Sequence, residues 1–199
     1  MKKNNLKKKK WYEYLWIASS AYLILGAFNI LFAWLGLICF LVPLIISISG
    51  GGKAYCNTYC GRGQLLSLLG NKLKLSRNKS IPKWMKTKYF RYGFLTFFLA
   101  MFLSMIFNTY LVFQGVNSLN EVITILWTFK LPWNFNDLTN ITPWIAQFSF
   151  GFYSIMLTST ILGVITMVLF KPNSWCVYCP MGTMTQGISI LKNNISSKS

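Results

Sequence analysis

Four of the five cysteines in this 199-residue chain fall into two close pairs, Cys56/Cys60 and Cys176/Cys179. Thiols spaced three or four residues apart suit two kinds of chemistry: ligation of a soft metal centre, or thiol redox exchange. A chain kept in a reducing compartment rarely uses such pairs as structural disulfides, so metal or redox work is the expectation on that side of a membrane. The absence of histidine removes His-ligated zinc hydrolysis, His-ligated haem and His-dependent triads. The fifth cysteine, Cys39, stands alone among Leu, Ile and Phe, where a thiol acts as a small hydrophobe.

The two pairs share their surroundings. The first reads Tyr55-Cys56-Asn57-Thr58-Tyr59-Cys60-Gly61-Arg62-Gly63-Gln64-Leu65-Leu66, and the second Trp175-Cys176-Val177-Tyr178-Cys179-Pro180-Met181-Gly182-Thr183-Met184. Superposing Cys60 on Cys179 pairs Tyr59 with Tyr178 and Gly63 with Gly182, so both read Y-C-x-x-G, and an aromatic residue precedes each leading cysteine. The register slips only there, giving C-x3-C in one copy and C-x2-C in the other. Duplicated units are a common way to build membrane proteins, with the working site between the copies. Two thiols from each copy make four.

Four thiolates are the usual ligand set of 4Fe-4S and 2Fe-2S clusters. They also suit structural zinc, and the pairs remain open to a thiol–disulfide reading coupled to a quinone, or to a non-redox accessory role. A four-thiolate cluster is anionic and gains from nearby N–H donors and cations. Gly61, Gly63 and Gly182 permit close backbone approach, Lys53, Arg62 and Lys171 supply positive charge, and Pro180 gives the second pair the C-P ending seen in many cluster motifs.

These elements, G-K-A-Y-C-N-T-Y-C-G-R-G-Q-L-L and S-W-C-V-Y-C-P-M-G-T-M, resemble the repeated element of membrane-bound 4Fe-4S-binding proteins related to NapH and NosR, which typically reads F-C-G-W-x-C-P-x-G-A-L after a transmembrane helix. The resemblance implies a 4Fe-4S cluster with Cys56, Cys60, Cys176 and Cys179 as its ligands. It also implies electron transfer among quinol or flavin partners and iron–sulfur centres. The chain departs from the pattern at Gly61, where a proline is usual, and in the shortened second spacing. It lacks the eight-cysteine soluble ferredoxin module of the larger relatives.

The elements that must bring the pairs together are apolar. Hydrophobic residues make up 54% of the chain and charged residues only 12%, half the roughly 25% of an average soluble domain, too few to coat a water-soluble surface. From Tyr14 to Ser49 no residue is charged; this run is too long for one span of about 20 residues and predicts a hairpin over 13–31 and 33–49, turning between Asn29 and Gly36, with Pro43 in its second arm. Further spans are expected at 91–113, with Pro82 opening the helix, and at 144–170. The fold class is therefore all-α: four transmembrane helices in two hairpin repeats, about 13–75 and 82–190, in a single membrane domain. An outer loop covers about 114–143, in which Leu119–Phe129 is expected to lie as a helix in the membrane interface.

Charge sets the expected orientation. Of 20 Lys and Arg residues, 19 lie in the N-terminal tail, the 53–91 segment and the C-terminal segment, and the 114–143 loop holds only Lys130. Lysine and arginine collect on the cytoplasmic side, so both termini and both cysteine pairs are expected there, in a multi-pass protein of the cell (inner) membrane. The blocks of positive charge fit anionic lipid headgroups, with docking of an acidic ferredoxin as a lesser use; their alternation with apolar runs argues against nucleic acid. Association into homo- or hetero-oligomers stays open, including one that completes the ligand set.

Overall fold

The computed structural model describes residues 14–51, 55–120, 122–126, 128–131 and 141–196. They are mostly helical. Helix α1 (Leu15–Phe28) ends at Asn29, whose backbone turns extended while its side chain accepts a hydrogen bond from the Leu31 N–H at 3.0 Å. This one residue makes the expected hairpin turn. The chain returns through a 3-10 segment (Ile30–Leu35) and α2 (Gly36–Ile46), which runs through the buried Pro43 without a break. A wide π turn (Ser47–Gly51) follows, then a second (Tyr55–Tyr59), α3 (Gly61–Lys72), and a 3-10 turn (Lys83–Lys86). Helix α4 (Lys88–Phe113), α5 (Pro143–Leu169), a 3-10 turn (Ser174–Val177) and α6 (Pro180–Ser196) complete the helices.

Three stretches are long and apolar enough to cross a membrane: Ile30–Ser49, Lys88–Phe113 and Pro143–Leu169. Helix α1 is apolar but has 14 residues, about 21 Å at 1.5 Å per residue, short of the roughly 30 Å hydrocarbon layer. Pro82 does not open the long helix. It precedes the 3-10 turn, and α4 starts after Thr87, whose hydroxyl accepts the Phe90 N–H at 3.4 Å and donates to the Trp84 carbonyl at 2.7 Å. A threonine cap satisfies a free N–H of the first turn, which proline cannot do.

Leu119–Phe129 is not an interfacial helix. It contains β1 (Ile123–Ile125), paired antiparallel with β2 (Phe129–Leu131) through Ile123/Leu131, Thr124/Lys130 and Ile125/Phe129. The hairpin lies along α5: the Asn120, Thr124 and Leu126 N–H groups donate to Gln147 Oε1 (2.9 Å), Ser154 Oγ (3.0 Å) and Thr158 Oγ1 (3.4 Å). A β-branched run whose amides are taken by side chains of a neighbouring helix has no reason to coil on itself. Glu121, Trp127 and residues 132–140, with Pro132, Trp133 and Asp137, lie outside the described residues, as do Glu13, Lys53 and the lysine tail.

The buried side chains form two groups. One, at the start of α5, joins Ile30, Ala33, Ile123, Ala146, Phe150 and Tyr153. The other joins Leu66, Met85, Phe98, Met167, Trp175 and Tyr178. This second group ties α3, α4 and the end of α5 to the segment carrying Cys176 and Cys179.

Candidate metal centre

Each cysteine pair lies just ahead of a helix, its second cysteine adjoining the first helical residue. Cys60 is the N-cap of α3, and its sulfur accepts the Gly63 N–H at 3.4 Å. Cys179 immediately precedes α6, and its sulfur accepts backbone N–H bonds from Gly182 and Met181. The duplicated sequence therefore repeats a local device, a thiol at a helix N-terminus facing the N–H three residues on, where the helix dipole favours negative charge. The slip between C-x3-C and C-x2-C has a geometric cause. Cys56 sits in a wide π turn and Cys176 in a tight 3-10 turn, so the wider turn absorbs the extra residue.

The two motifs meet. A Cβ built on Gly63 would stand 3.6 Å from the sulfur of Cys60 and 3.6 Å from that of Cys176, so those sulfurs are no farther apart than twice that distance. Cys176 interacts electrostatically with Cys179, Cys60 and Cys56, and Cys179 with Cys60. The expected four cysteines thus share one neighbourhood, level with the last turns of α5: Trp175 packs beside Gly163, and Tyr178 shares a side-chain hydrogen bond with Thr166. Among the described residues, no three cysteine or carboxylate side chains converge tightly enough to grip a single metal ion.

Burial pushes the Cys176 thiol up to about 12, reinforced by Cys179, Cys60 and Cys56. The residue as a whole is exposed, yet the protein around its thiol strips away enough water to disfavour a lone thiolate. Burial also raises Cys179, against the lowering effect of its N–H donors and of Arg62. Without a metal, these thiols stay protonated at neutral pH.

The remaining expected residues separate into distinct roles. Gly61 is sterically required: its Cβ would meet the Leu15 carbonyl oxygen at 2.5 Å. Backbone of α1 lies where a side chain or the usual proline ring would go, which explains the departure from C-P in the first motif. Pro180 takes the equivalent first position of α6, which suits proline. At Gly182 a Cβ would find ordinary contacts at 3.9 Å, so its contribution is the N–H toward Cys179. Arg62 points into the bundle, donating from Nη1 to Ser159 Oγ at 2.5 Å, with Nη2 3.0 Å from Met156 Sδ. Lys171 is exposed.

Cys39 was expected only to fill apolar space. It lies within electrostatic reach of Cys60 and Arg62, and Tyr55 interacts with Cys39, Cys60 and Cys56. Nothing in the sequence near Cys39 signals this; it follows from α2 folding back beside the first motif.

Helices of membrane-spanning length and two helix N-termini that donate to cysteine sulfur make this a helical protein with a thiol-rich site. Residues 32–82 and 154–198 match the family model of a 4Fe-4S binding domain. Each matched segment contains one cysteine pair, and the match supports an iron–sulfur-binding family and a 4Fe-4S cluster for this chain. No curated protein matches the chain, and no solved structure matches it.

Proposed function

We propose that this chain is an integral membrane protein that takes part in electron transfer through one 4Fe-4S cluster held by Cys56, Cys60, Cys176 and Cys179. The observation that carries the reading is the meeting of the two motifs across Gly63, with sulfurs from both halves at 3.6 Å from one Cβ position. The residues fit a cluster. The two helix N-termini and the N–H groups of Gly63, Met181 and Gly182 are directed at sulfur, and such donors stabilise anionic thiolates. A cluster, when bound, supplies one-electron exchange without bond making.

Four thiolates also suit a single zinc; the family match, which is to a 4Fe-4S binding domain, supports the cluster. Both pairs come from one chain, so the ligand set requires no second copy.

The placement of 19 of 20 basic residues outside the 114–143 loop supports insertion in the cell membrane with both termini and the cluster on the cytoplasmic side. That orientation requires the short apolar α1 to cross as a fourth element beside the three spanning-length helices. The spans give access to a lipid-soluble donor such as a quinol, and the basic cytoplasmic surface to a flavoprotein or an acidic ferredoxin. The test is iron and sulfide analysis of protein purified without oxygen, with absorption near roughly 400 nm from thiolate-to-iron charge transfer and an EPR signal on reduction. A colourless, iron-free sample whose cysteine pairs cycle between thiol and disulfide would replace this reading with thiol exchange.

A further inference from the structure

Arg62 occupies the second position of α3, two residues after Cys60. A cation there opposes the helix dipole, and a long basic side chain ordinarily escapes to water. This one does the opposite. Its guanidinium reaches the middle of α5, where Ser159 Oγ and the Met156 sulfur hold it, in a helix without a charged residue. From there it acts electrostatically on Cys179 of the second motif, and on Cys39 and Tyr22. The chain's three carboxylates, Glu13, Glu121 and Asp137, all lie outside the described residues.

Three positive sources therefore lie beside the cysteines: the N-termini of α3 and α6, which carry Cys60 and Cys179, and Arg62, which acts on Cys179. A half-buried cation gains from an anionic neighbour, and an anionic four-thiolate cluster would be one. We propose that Arg62 is the internal counter-charge of the metal centre and sets its reduction potential, with Ser159 fixing its position from α5. The proposal rests on the four cysteines being cluster ligands. On reduction the cluster gains one electron and one unit of negative charge. Arginine keeps its proton throughout, so it favours the reduced state without any proton being taken up.

The experiment is an anaerobic redox titration, with dithionite as reductant and EPR as readout, on wild type, Arg62→Gln, Arg62→Lys and Ser159→Ala. In Arg62→Gln the ratio of reduced to oxidised cluster at a fixed poise falls at least tenfold, a negative shift of about 59 mV for a one-electron couple. Arg62→Lys stays close to wild type, and Ser159→Ala shifts in the same direction as Gln by a smaller amount. A full complement of iron with an unchanged midpoint in Arg62→Gln overturns the proposal, and so do equal shifts in the Gln and Lys variants, which would mark a role in shape alone. If Arg62→Gln loses the cluster, retention by Arg62→Lys supports the charge and loss in both overturns it. Wild-type protein without iron would instead refute the cluster reading itself.

Discussion

Replacing Gly63 with alanine adds one methyl group at the seam between the two halves of the site. On the native backbone that methyl would touch Cys60 Sγ and Cys176 Sγ at 3.6 Å each, ordinary contact distances that demand no movement of the metal-free protein. The Gly63 N–H to sulfur bond can persist. Gly63 lies in the first turn of α3, and glycine in a helix interior costs up to about 1 kcal/mol relative to alanine, so metal-free Gly63→Ala should match wild type or exceed it by up to that amount. The same methyl, however, fills space between two proposed ligands that a cluster's inorganic atoms require. Stability and metal content should therefore part: an equal or higher unfolding temperature by circular dichroism in detergent, with iron per chain after anaerobic reconstitution falling to less than about a third of wild type, the methyl excluding atoms by hard contact as in an overpacked core. Gly61→Ala is the contrast. Its methyl would stand 2.5 Å from the Leu15 carbonyl oxygen, and because backbone cannot rotate away, the overpacking should cost about 1–3 kcal/mol and reduce stability and metal content together. Wild-type iron and an unaltered EPR spectrum in Gly63→Ala would show that nothing occupies the space between Cys60 and Cys176, and the shared centre would be refuted.

In the metal-free protein, Cys176 has a thiol raised to about 12 by burial, so iodoacetamide should modify it far more slowly at pH 8 than a free thiol, with the rate climbing about tenfold per pH unit toward that value. A rate matching free cysteine would contradict the burial. The sign for stability follows: a raised thiol pKa favours the fold fully below the unfolded value of about 8.5, and that benefit is lost as pH rises from there toward the folded value. Metal-free protein should thus unfold at progressively lower temperature from pH 8.5 upward. Ser154→Ala removes the acceptor of the Thr124 N–H and should cost about 1–3 kcal/mol for an orphaned buried donor; unchanged amide exchange across Ile123–Ile125 would show that the hairpin does not rest on α5. Single cysteines introduced at Lys86 and Asn117, at the two ends of α4, should differ in labelling by an impermeant maleimide on intact cells, with only Asn117→Cys reacting. Labelling at Lys86→Cys would reverse the proposed orientation.

The apolar runs, the basic blocks and the doubled Y-C-x-x-G were enough to predict long helices, a hairpin turn somewhere between Asn29 and Gly36, and two equivalent cysteine motifs, because each is a local property of the chain. Hydrophobic length, capping residues and spacing act within a few residues of themselves. The placement of 119–131 was beyond that reach. Its β-branched residues fit a helix or a strand, and the acceptors that settle the matter, Ser154 and Thr158, stand about 30 residues further along. The same holds for the site. Sequence identified Cys56, Cys60, Cys176 and Cys179 as candidates, but only the packing of α3 against α1 and α5, with Gly61 on the Leu15 backbone, brings Cys60 beside Cys176. Cys39 and the inward course of Arg62 were equally invisible. Each depends on contacts between distant segments, and the direction a side chain takes is decided by what the folded neighbours leave open to it.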